Sequence, residues 1–371
     1  MDAKCNGCGV KIQCDNPKMP GYLRKDVYEK RKDDFLCERC FNIMHYNKNI
    51  KVSIGEQEFL DIAEKISKEK SIIVNVIDAF DLDGTIIKNI NKLFPKSKVL
   101  LVANKYDLFL RSNKPNKIKR YILEYLKNNN IEVEGVCVCC AKEEECARII
   151  IEFLEEKVKK EKVYFFGTTN VGKSTLINTI LNTFMVDSNG EYNPPKITVS
   201  NNPGTTLDII EIKLPNGLII NDTPGLLNKH QVTSYLENKS LTKTMPRKYV
   251  KPRVFQLNPK QTLFIGGFAF VNFLEGERSS FVMNVSNDLV VHRCKLENSE
   301  EFYNEHFVDI LKIPTLKEKE LMGNFKNHYF DIDGKCEISI SGLGFIWITG
   351  KGKVCVKTFE NINVIKRDPM V

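Results

Sequence analysis

The stretch Gly167-Thr168-Thr169-Asn170-Val171-Gly172-Lys173-Ser174 has the G-x-x-x-x-G-K-S spacing of a phosphate-binding loop. Its glycines let backbone N–H groups curl round a β-phosphate, and the helix that follows adds the positive end of its dipole. Gly167, Asn170, Val171, Gly172, Lys173, Ser174 and Thr175 are the expected nucleotide-binding positions, with Lys173 bridging β- and γ-phosphate oxygens and the Ser174 hydroxyl on Mg²⁺. In Asp222-Thr223-Pro224-Gly225, Asp222 would hold Mg²⁺ through water and the Gly225 N–H would sense the γ-phosphate. Pro203-Gly204-Thr205-Thr206 lies between the two, with Thr206 as the Mg²⁺-binding switch threonine and Thr205 as the alternative. Lys173, Thr206, Asp222 and Gly225 form the expected catalytic set. A chance match in a Gly-containing turn is disfavoured, because an apolar strand pattern precedes the loop and a helical pattern follows it.

Asn104-Lys105-Tyr106-Asp107 suits a guanine reader. The Asp107 carboxylate can accept from both N1–H and the exocyclic amine, whereas adenine offers no such pair and would leave the acid unpaired. Asn104 would brace the motif and read N7, and the Lys105 stem would lie along the base. Cys140-Ala141-Lys142 falls after the next strand pattern, where a backbone N–H meeting guanine O6 belongs; that motif usually begins with Ser or Thr. The base reader precedes the phosphate loop, the reverse of an ordinary small GTPase, so the order implies a circularly permuted domain. Joining the old termini is sterically cheap when they lie near one another. The new break follows Gly225, which ties whatever comes after Leu227 to the switch. Leu226 stands where a water-positioning Gln often sits, so slow intrinsic hydrolysis of GTP to GDP is expected. Asn170 either coordinates potassium beside the phosphates or merely fits the loop backbone; the chemistry leaves both open.

Cys5-Asn6-Gly7-Cys8 and Cys37-Glu38-Arg39-Cys40 are two C-x₂-C knuckles. Cys5, Cys8, Cys37 and Cys40 would complete a tetrahedral structural Zn²⁺ site, in a segment with little other means of holding a fold. Cys14 and His45 are left as a simple thiol and a contact residue. Cys137, Cys139 and Cys140 read as small buried thiols in and after an apolar strand.

Elements must hold these groups. Apolar runs at 72–77, 99–103, 133–138, 163–166, 207–214 and 218–221 alternate with helical stretches near 85–94, 115–129, 143–160 and 173–184, as in a parallel sheet. Beyond residue 230 the pattern turns to β-like runs (262–273, 280–285, 288–295 and 336–356), with helices near 232–245 and 298–312. Gly342, Gly344, Gly350 and Gly352 punctuate the last run. The expected fold is α/β: residues 1–50 a zinc knuckle, 51–229 a circularly permuted P-loop GTPase domain with a Ras-like sheet, and 230–371 a β-rich, RNA-binding domain. The 371 residues, 42% hydrophobic and 27% charged, fit a globular chain of two or three domains. No apolar run reaches the roughly 18 residues of a membrane span, and the first residues lack a signal-peptide core, so a cytoplasmic protein without a membrane partner is expected. Its twelve cysteines then argue for metal ligation and thiols over a disulfide framework. The net charge of +8 includes Lys239, Lys243, Arg247, Lys248, Lys251, Arg253 and Lys260 with no acid between 238 and 260. With Tyr249 and Phe255 interleaved, this stretch suits a polyanion; a solvated linker is the alternative.

Taken together, the chain resembles the YqeH family of circularly permuted GTPases over nearly its full length. The resemblance rests on Cys5-x-x-Cys8-Gly9, Pro20-Gly21-Tyr22, Cys37-x-x-Cys40-Phe41, His45-Tyr46-Asn47, Asp78-Ala79-Phe80-Asp81, the nucleotide motifs above, His292-Arg293 and Ser341-Gly342-Leu343-Gly344. It implies assistance in assembling the small ribosomal subunit, with ribosomal RNA or that subunit as partner. It also implies a hydrophobic residue replacing the catalytic Gln, as at Leu226, potassium stimulation through Asn170, and a C-terminal domain like an RNA-binding attenuation protein. The competing readings are a nucleic-acid-binding scaffold with a regulatory, nearly non-hydrolysing site, and a GTPase acting on a protein or membrane partner.

Overall fold

Strand Ser71–Asp78 is buried at every position, as expected of a strand covered on both faces. It lies in a computed structural model that describes residues 3, 5, 11–15, 21–30, 35, 37, 53–109, 114–184, 196–200 and 209–370. The chain forms two compact units, one of residues 1–78, 87–105 and 122–227, the other of 79–86, 106–121 and 228–371. Two stretches from within the expected GTPase block, 79–86 and 106–121, thus group with the C-terminal unit.

The first unit contains β1 (Ser53–Ile54), α1 (Glu56–Ser67), β2 (Ser71–Asp78), β3 (Lys98–Asn104), β4 (Gly135–Val138), α2 (Glu144–Lys157), β5 (Lys162–Phe166), α3 (Lys173–Thr183), β6 (Lys196–Ser200), β7 (Ile209–Lys213), β8 (Ile219–Asp222) and β9 (Gly225–Leu226). Its sheet runs β4-β3-β2-β5-β8-β7-β6, parallel except where β7 runs antiparallel to both neighbours. Asp78 lies opposite Asn104 in the β2–β3 register, and α2 leads directly into β5. Alternation along β5 sends adjacent rings to opposite faces. Phe165 joins the core formed with Ile150 and Leu154 of α2 and Leu176 and Ile180 of α3, while Phe166 meets Phe59 of α1 and Phe94. Each fully buried ring or aliphatic side chain of this kind contributes about 1.5–3 kcal/mol.

Seven strands stand where the sequence pattern shows six. The additional strand, β6, is five residues at the sheet edge after Pro194-Pro195, a dipeptide that reads as loop. Helix α1 also escapes the pattern reading, although Phe59, Ile62, Ala63 and Ile66 bury one stripe at i, i+3, i+4 and i+7. The expected helix at 85–94 is two short turns, Leu82–Thr85 and Ile90–Leu93. Near the N-terminus, Cys5, Ile12, Leu23 and Cys37 form a small core with Val27, Tyr28 and Phe35, more apolar packing than the sequence suggests.

The second unit is an eight-stranded antiparallel sheet of β10 (Arg253–Leu257), β11 (Gln261–Ile265), β12 (Ala269–Gly276), β13 (Ser279–Val285), β14 (Val291–Lys295), β15 (Phe325–Ile340), β16 (Gly344–Phe359) and β17 (Val364–Arg367). The helices Asn238–Thr244, Ser299–His306 and Leu316–Met322 accompany it. The 336–356 run is broken at Gly342, as expected, and not at Gly350 or Gly352. β15 and β16 pair continuously over sixteen residues, and only the 341–343 stretch is a turn. Gly350 and Gly352 sit inside β16, where a Cβ would stand 1.9 Å from Ser279 Oγ and 2.0 Å from Glu275 O. They are close-approach positions against β12 and β13, not breaks.

A buried ionic cluster closes one edge of this unit. Glu337, with no exposed surface, accepts from Trp347 Nε1 at 2.8 Å and Arg367 Nε at 2.7 Å, and Arg367 also pairs with Asp83. Breaking such a pair leaves a buried charge unpaired. Glu337→Gln should therefore destabilise the C-terminal unit by about 3 kcal/mol; an unchanged calorimetric transition would show the cluster contributes nothing. No helix among the described residues is long and apolar enough to cross a membrane.

Candidate functional site

The phosphate loop begins as β5 ends. Gly167 passes so near β2 that a Cβ would sit 2.6 Å from the Val76 carbonyl. Asn170 (φ 67°) and Gly172 (φ 94°) are left-handed, the kind of alternation that turns successive N–H groups inward as an anion nest. A side chain at 172 would also collide with Asn104 Nδ2, 2.2 Å away. Gly172→Ala should thus weaken nucleotide affinity by about tenfold or more, through both backbone strain and displacement of Asn104; isothermal titration with GDP measures it.

Lys173 opens α3 and is buried, with its ammonium on the Asp222 carboxylate and the Thr223 carbonyl. Thr223 is itself fixed by its hydroxyl to Phe165 O at 2.7 Å. The residues expected at the γ-phosphate thus converge from the start of a helix and the end of β8. Ser174 and Thr175 lie half-buried in the first turn of α3. Thr205 and Thr206 lie outside the described residues.

Gly225 and Leu226 are zipped between two partners. β9 pairs in parallel with β1, Leu227 N donates to Ile54 O at 3.0 Å, and on the other side Thr169 N donates to Leu226 O at 2.9 Å and Leu226 N to Gly167 O at 3.1 Å. The loop expected to sense phosphate is therefore held through its backbone by both the phosphate loop and an N-terminal edge strand. Residues 53–54 carry no motif, and a two-residue strand has no periodicity to betray it.

At the base end, Asn104 is a hub. Its Nδ2 donates to Val171 O at 2.7 Å, and its Oδ1 accepts from Lys105 N and Ala141 N, each at 2.7 Å. One side chain thereby locks the phosphate loop to the Cys140-Ala141-Lys142 turn, and the second Nδ2 hydrogen still permits a contact to N7. The Ala141 amide, one of the stretch from which a backbone N–H is expected on guanine O6, is here engaged with Asn104. Lys105 (φ 68°) sends its ammonium to Asp78 Oδ2 at 2.5 Å. Asp78, quoted above only for the family resemblance, and Thr179, whose hydroxyl donates to Ala141 O at 2.6 Å, are support residues to which the nucleotide motifs assign no role. For Thr179 the one advance signal is position, in the helix that follows the phosphate loop. Asp107 lies partly exposed in the 3₁₀ turn Tyr106–Leu108 and belongs to the second unit.

Three cysteine and basic assignments change. Cys139 is not a free thiol; it is disulfide-bonded to Cys146, because the intervening turn brings their Cα atoms to 5.5 Å, within disulfide reach. Cys137 and Cys140 remain buried free cysteines. In the basic stretch, Arg253 donates to Leu289 O at 2.7 Å and Ser286 O at 3.1 Å, and Phe255 packs on the core, so both serve the fold. Of the zinc candidates, Cys5 and Cys37 are described and adjacent, the Cys37 amide donating to Cys5 Sγ at 3.2 Å. Cys8 and Cys40 lie outside the described residues.

A phosphate loop, its strand-end aspartate and a strand-end Asn-Lys, carried on one sheet in reversed chain order, define a circularly permuted P-loop GTPase domain. Residues 162–256 match the family described as 50S ribosome-binding GTPase, and residues 278–370 the family described as YqeH-like, C-terminal. The chain is 37% identical to the protein YqeH of Bacillus subtilis (strain 168), over 93% of this chain and 92% of that one, and it belongs to the YqeH family. NO-associated protein 1, chloroplastic/mitochondrial, of Arabidopsis thaliana is 25% identical over 93% of this chain and 69% of its own. Nitric oxide-associated protein 1 of Mus musculus is 22% identical over 86% and 66%.

Proposed function

We propose that this chain is a cytoplasmic GTP-hydrolysing switch that assists assembly of the small ribosomal subunit by binding ribosomal RNA or the immature subunit, and leaves after hydrolysis. The observation that carries the nucleotide part is the Asn104 hub, which joins a base-reading strand end to the phosphate loop. Asp107 would accept the two guanine donors, Asn104 the N7 contact, and a backbone amide of Cys140–Lys142 the O6 contact. Lys173 would turn from Asp222 to the phosphates, and the Gly225 N–H would meet the γ-phosphate. Ser174, Thr206 and, through water, Asp222 supply the hard oxygen donors that suit Mg²⁺, whose charge would neutralise the triphosphate. Asn170, already left-handed at the loop, would hold potassium. Support for zinc in Cys5, Cys8, Cys37 and Cys40 comes from the Cys37 amide on the Cys5 sulfur, which brings the leading cysteines of both knuckles together.

RNA contacts fall to the exposed cations Lys239, Arg247, Lys248, Lys251 and Lys260. The test is co-sedimentation with small and with large subunits, in a GTP analogue and in GDP, over a salt series. Binding to small subunits only with the analogue, falling steeply with salt, is expected; equal binding in both nucleotides, or binding to large subunits alone, would overturn the assembly reading. Leu226 favours one second reading, a scaffold whose site hardly turns over. GTP turnover in potassium, with and without subunits, separates the two.

A further inference from the structure

Asp81 lies outside every nucleotide motif, yet it is only 7% exposed. Its Oδ2 accepts the Gln231 side-chain amide at 2.7 Å and the Gly342 backbone N–H at 2.8 Å. Thr85 steadies the segment by donating its hydroxyl to the Asp81 carbonyl at 2.7 Å. Three stretches of the second unit therefore meet on one carboxylate. Residues 79–86 follow Asp78 at the end of β2, residues 228–235 follow Leu227 at the end of the phosphate-sensing loop, and 341–343 is the turn of the long β15–β16 hairpin.

Other contacts tighten the same junction. Asn228 Nδ2 donates to Gly84 O at 2.7 Å, and Val232 N donates to Ser341 O at 3.1 Å. The glycines are needed for this approach. A Cβ on Gly84 would stand 2.5 Å from the Asp81 carboxylate, and one on Gly342, at φ 84°, would stand 2.9 Å from Val232 N. Both donors converge on Oδ2, and a buried donor deprived of its acceptor is costly. Asp81 is thus a firm grip on the first residues after the sensing loop.

We propose that Asp81 is a positioning residue for GTP turnover. By holding Gln231 and Gly342 on one carboxylate, it fixes the first residues of the chain beyond the loop 222–227. The proposal rests on the reading of Asp222–Gly225 as the γ-phosphate sensor and adds the element that anchors it.

The test uses the full chain with Asp81→Ala, Gln231→Glu and the conservative variant Asp81→Asn. Asp81→Ala removes the acceptor and Gln231→Glu sets a second carboxylate against it, and in both kcat for GTP should fall about tenfold while KM moves less than about threefold. In Asp81→Asn the amide oxygen can still accept from both Gln231 Nε2 and the Gly342 N–H, and kcat should stay within about threefold of the unsubstituted chain. Hydrogen exchange over 222–235, read on the same proteins, should quicken in the first two variants and not in Asp81→Asn. Unchanged turnover and exchange in Asp81→Ala and Gln231→Glu, or an Asp81→Asn as slow as Asp81→Ala, would overturn the clasp; so would a melting temperature lowered with kcat intact, the mark of a merely structural contact. Failure of the unsubstituted chain to bind GTP is a different result, which would overturn the phosphate-site reading on which the clasp depends.

Discussion

Lys173→Ala should lower GTP turnover by about 10²–10³-fold, the loss typical of removing one donor to developing charge. The ammonium rests buried against Asp222 and the Thr223 carbonyl, and would turn from them to the phosphates when nucleotide binds. The same contact makes the variant informative in a second way. Alanine leaves Asp222 without its cation, and the first unit should lose about 1–3 kcal/mol of stability as well as activity. Lys173→Arg separates the two effects. It keeps a positive charge near Asp222, but a planar guanidinium cannot stand in for a point charge between β- and γ-oxygens. That variant should melt near the unsubstituted chain while hydrolysing GTP as poorly as the alanine variant. Hydrolysis by either variant at the unsubstituted rate would reject the phosphate-loop assignment.

The parts legible in advance are those where chemistry forces a residue type at a fixed spacing. The P-loop, Asp222-Thr223-Pro224-Gly225 and Asn104-Lys105 announce themselves because backbone curvature, charge and hydrogen-bond geometry tolerate few substitutes. Burial on both faces made the central strands legible as continuous apolar runs. Long-range partners were not legible. Nothing near Ile54 signals that it pairs with Leu226, and nothing near Asp81 signals Gln231, 150 positions later. Gly350 and Gly352 misled for a related reason. A glycine that ends a strand and one that lets two strands crowd together look alike until the neighbouring backbone is known. The basic stretch misled in part because charge says nothing of direction, and Arg253 turns inward to cap two carbonyls.

Asp107→Asn should exchange one nucleobase preference for another. Guanine offers two donors on one edge, N1–H and the exocyclic amine, and a carboxylate accepts both. With asparagine, one acceptor becomes an NH₂ group facing a donor, so a hydrogen bond is lost and a donor left unpaired. Hydrogen bonds to charged groups are worth about 1.5–3 kcal/mol, and an unsatisfied donor costs a similar amount. GTP affinity should therefore fall by about 10²-fold or more. Xanthine carries a carbonyl where guanine has the amine, and this carbonyl accepts from the new NH₂. Competition titration should show xanthosine triphosphate binding the variant at least as well as GTP, and the unsubstituted chain far more weakly. The exchange is informative because Asp107 is partly exposed in a short 3₁₀ turn and asparagine keeps the size and shape of its side chain. The substitution changes the donor–acceptor character of the base edge at nearly constant volume. A variant that kept its preference for GTP would move the reading of guanine away from residue 107, while one that lost both nucleotides would show that the turn itself, and not its carboxylate alone, supports the site.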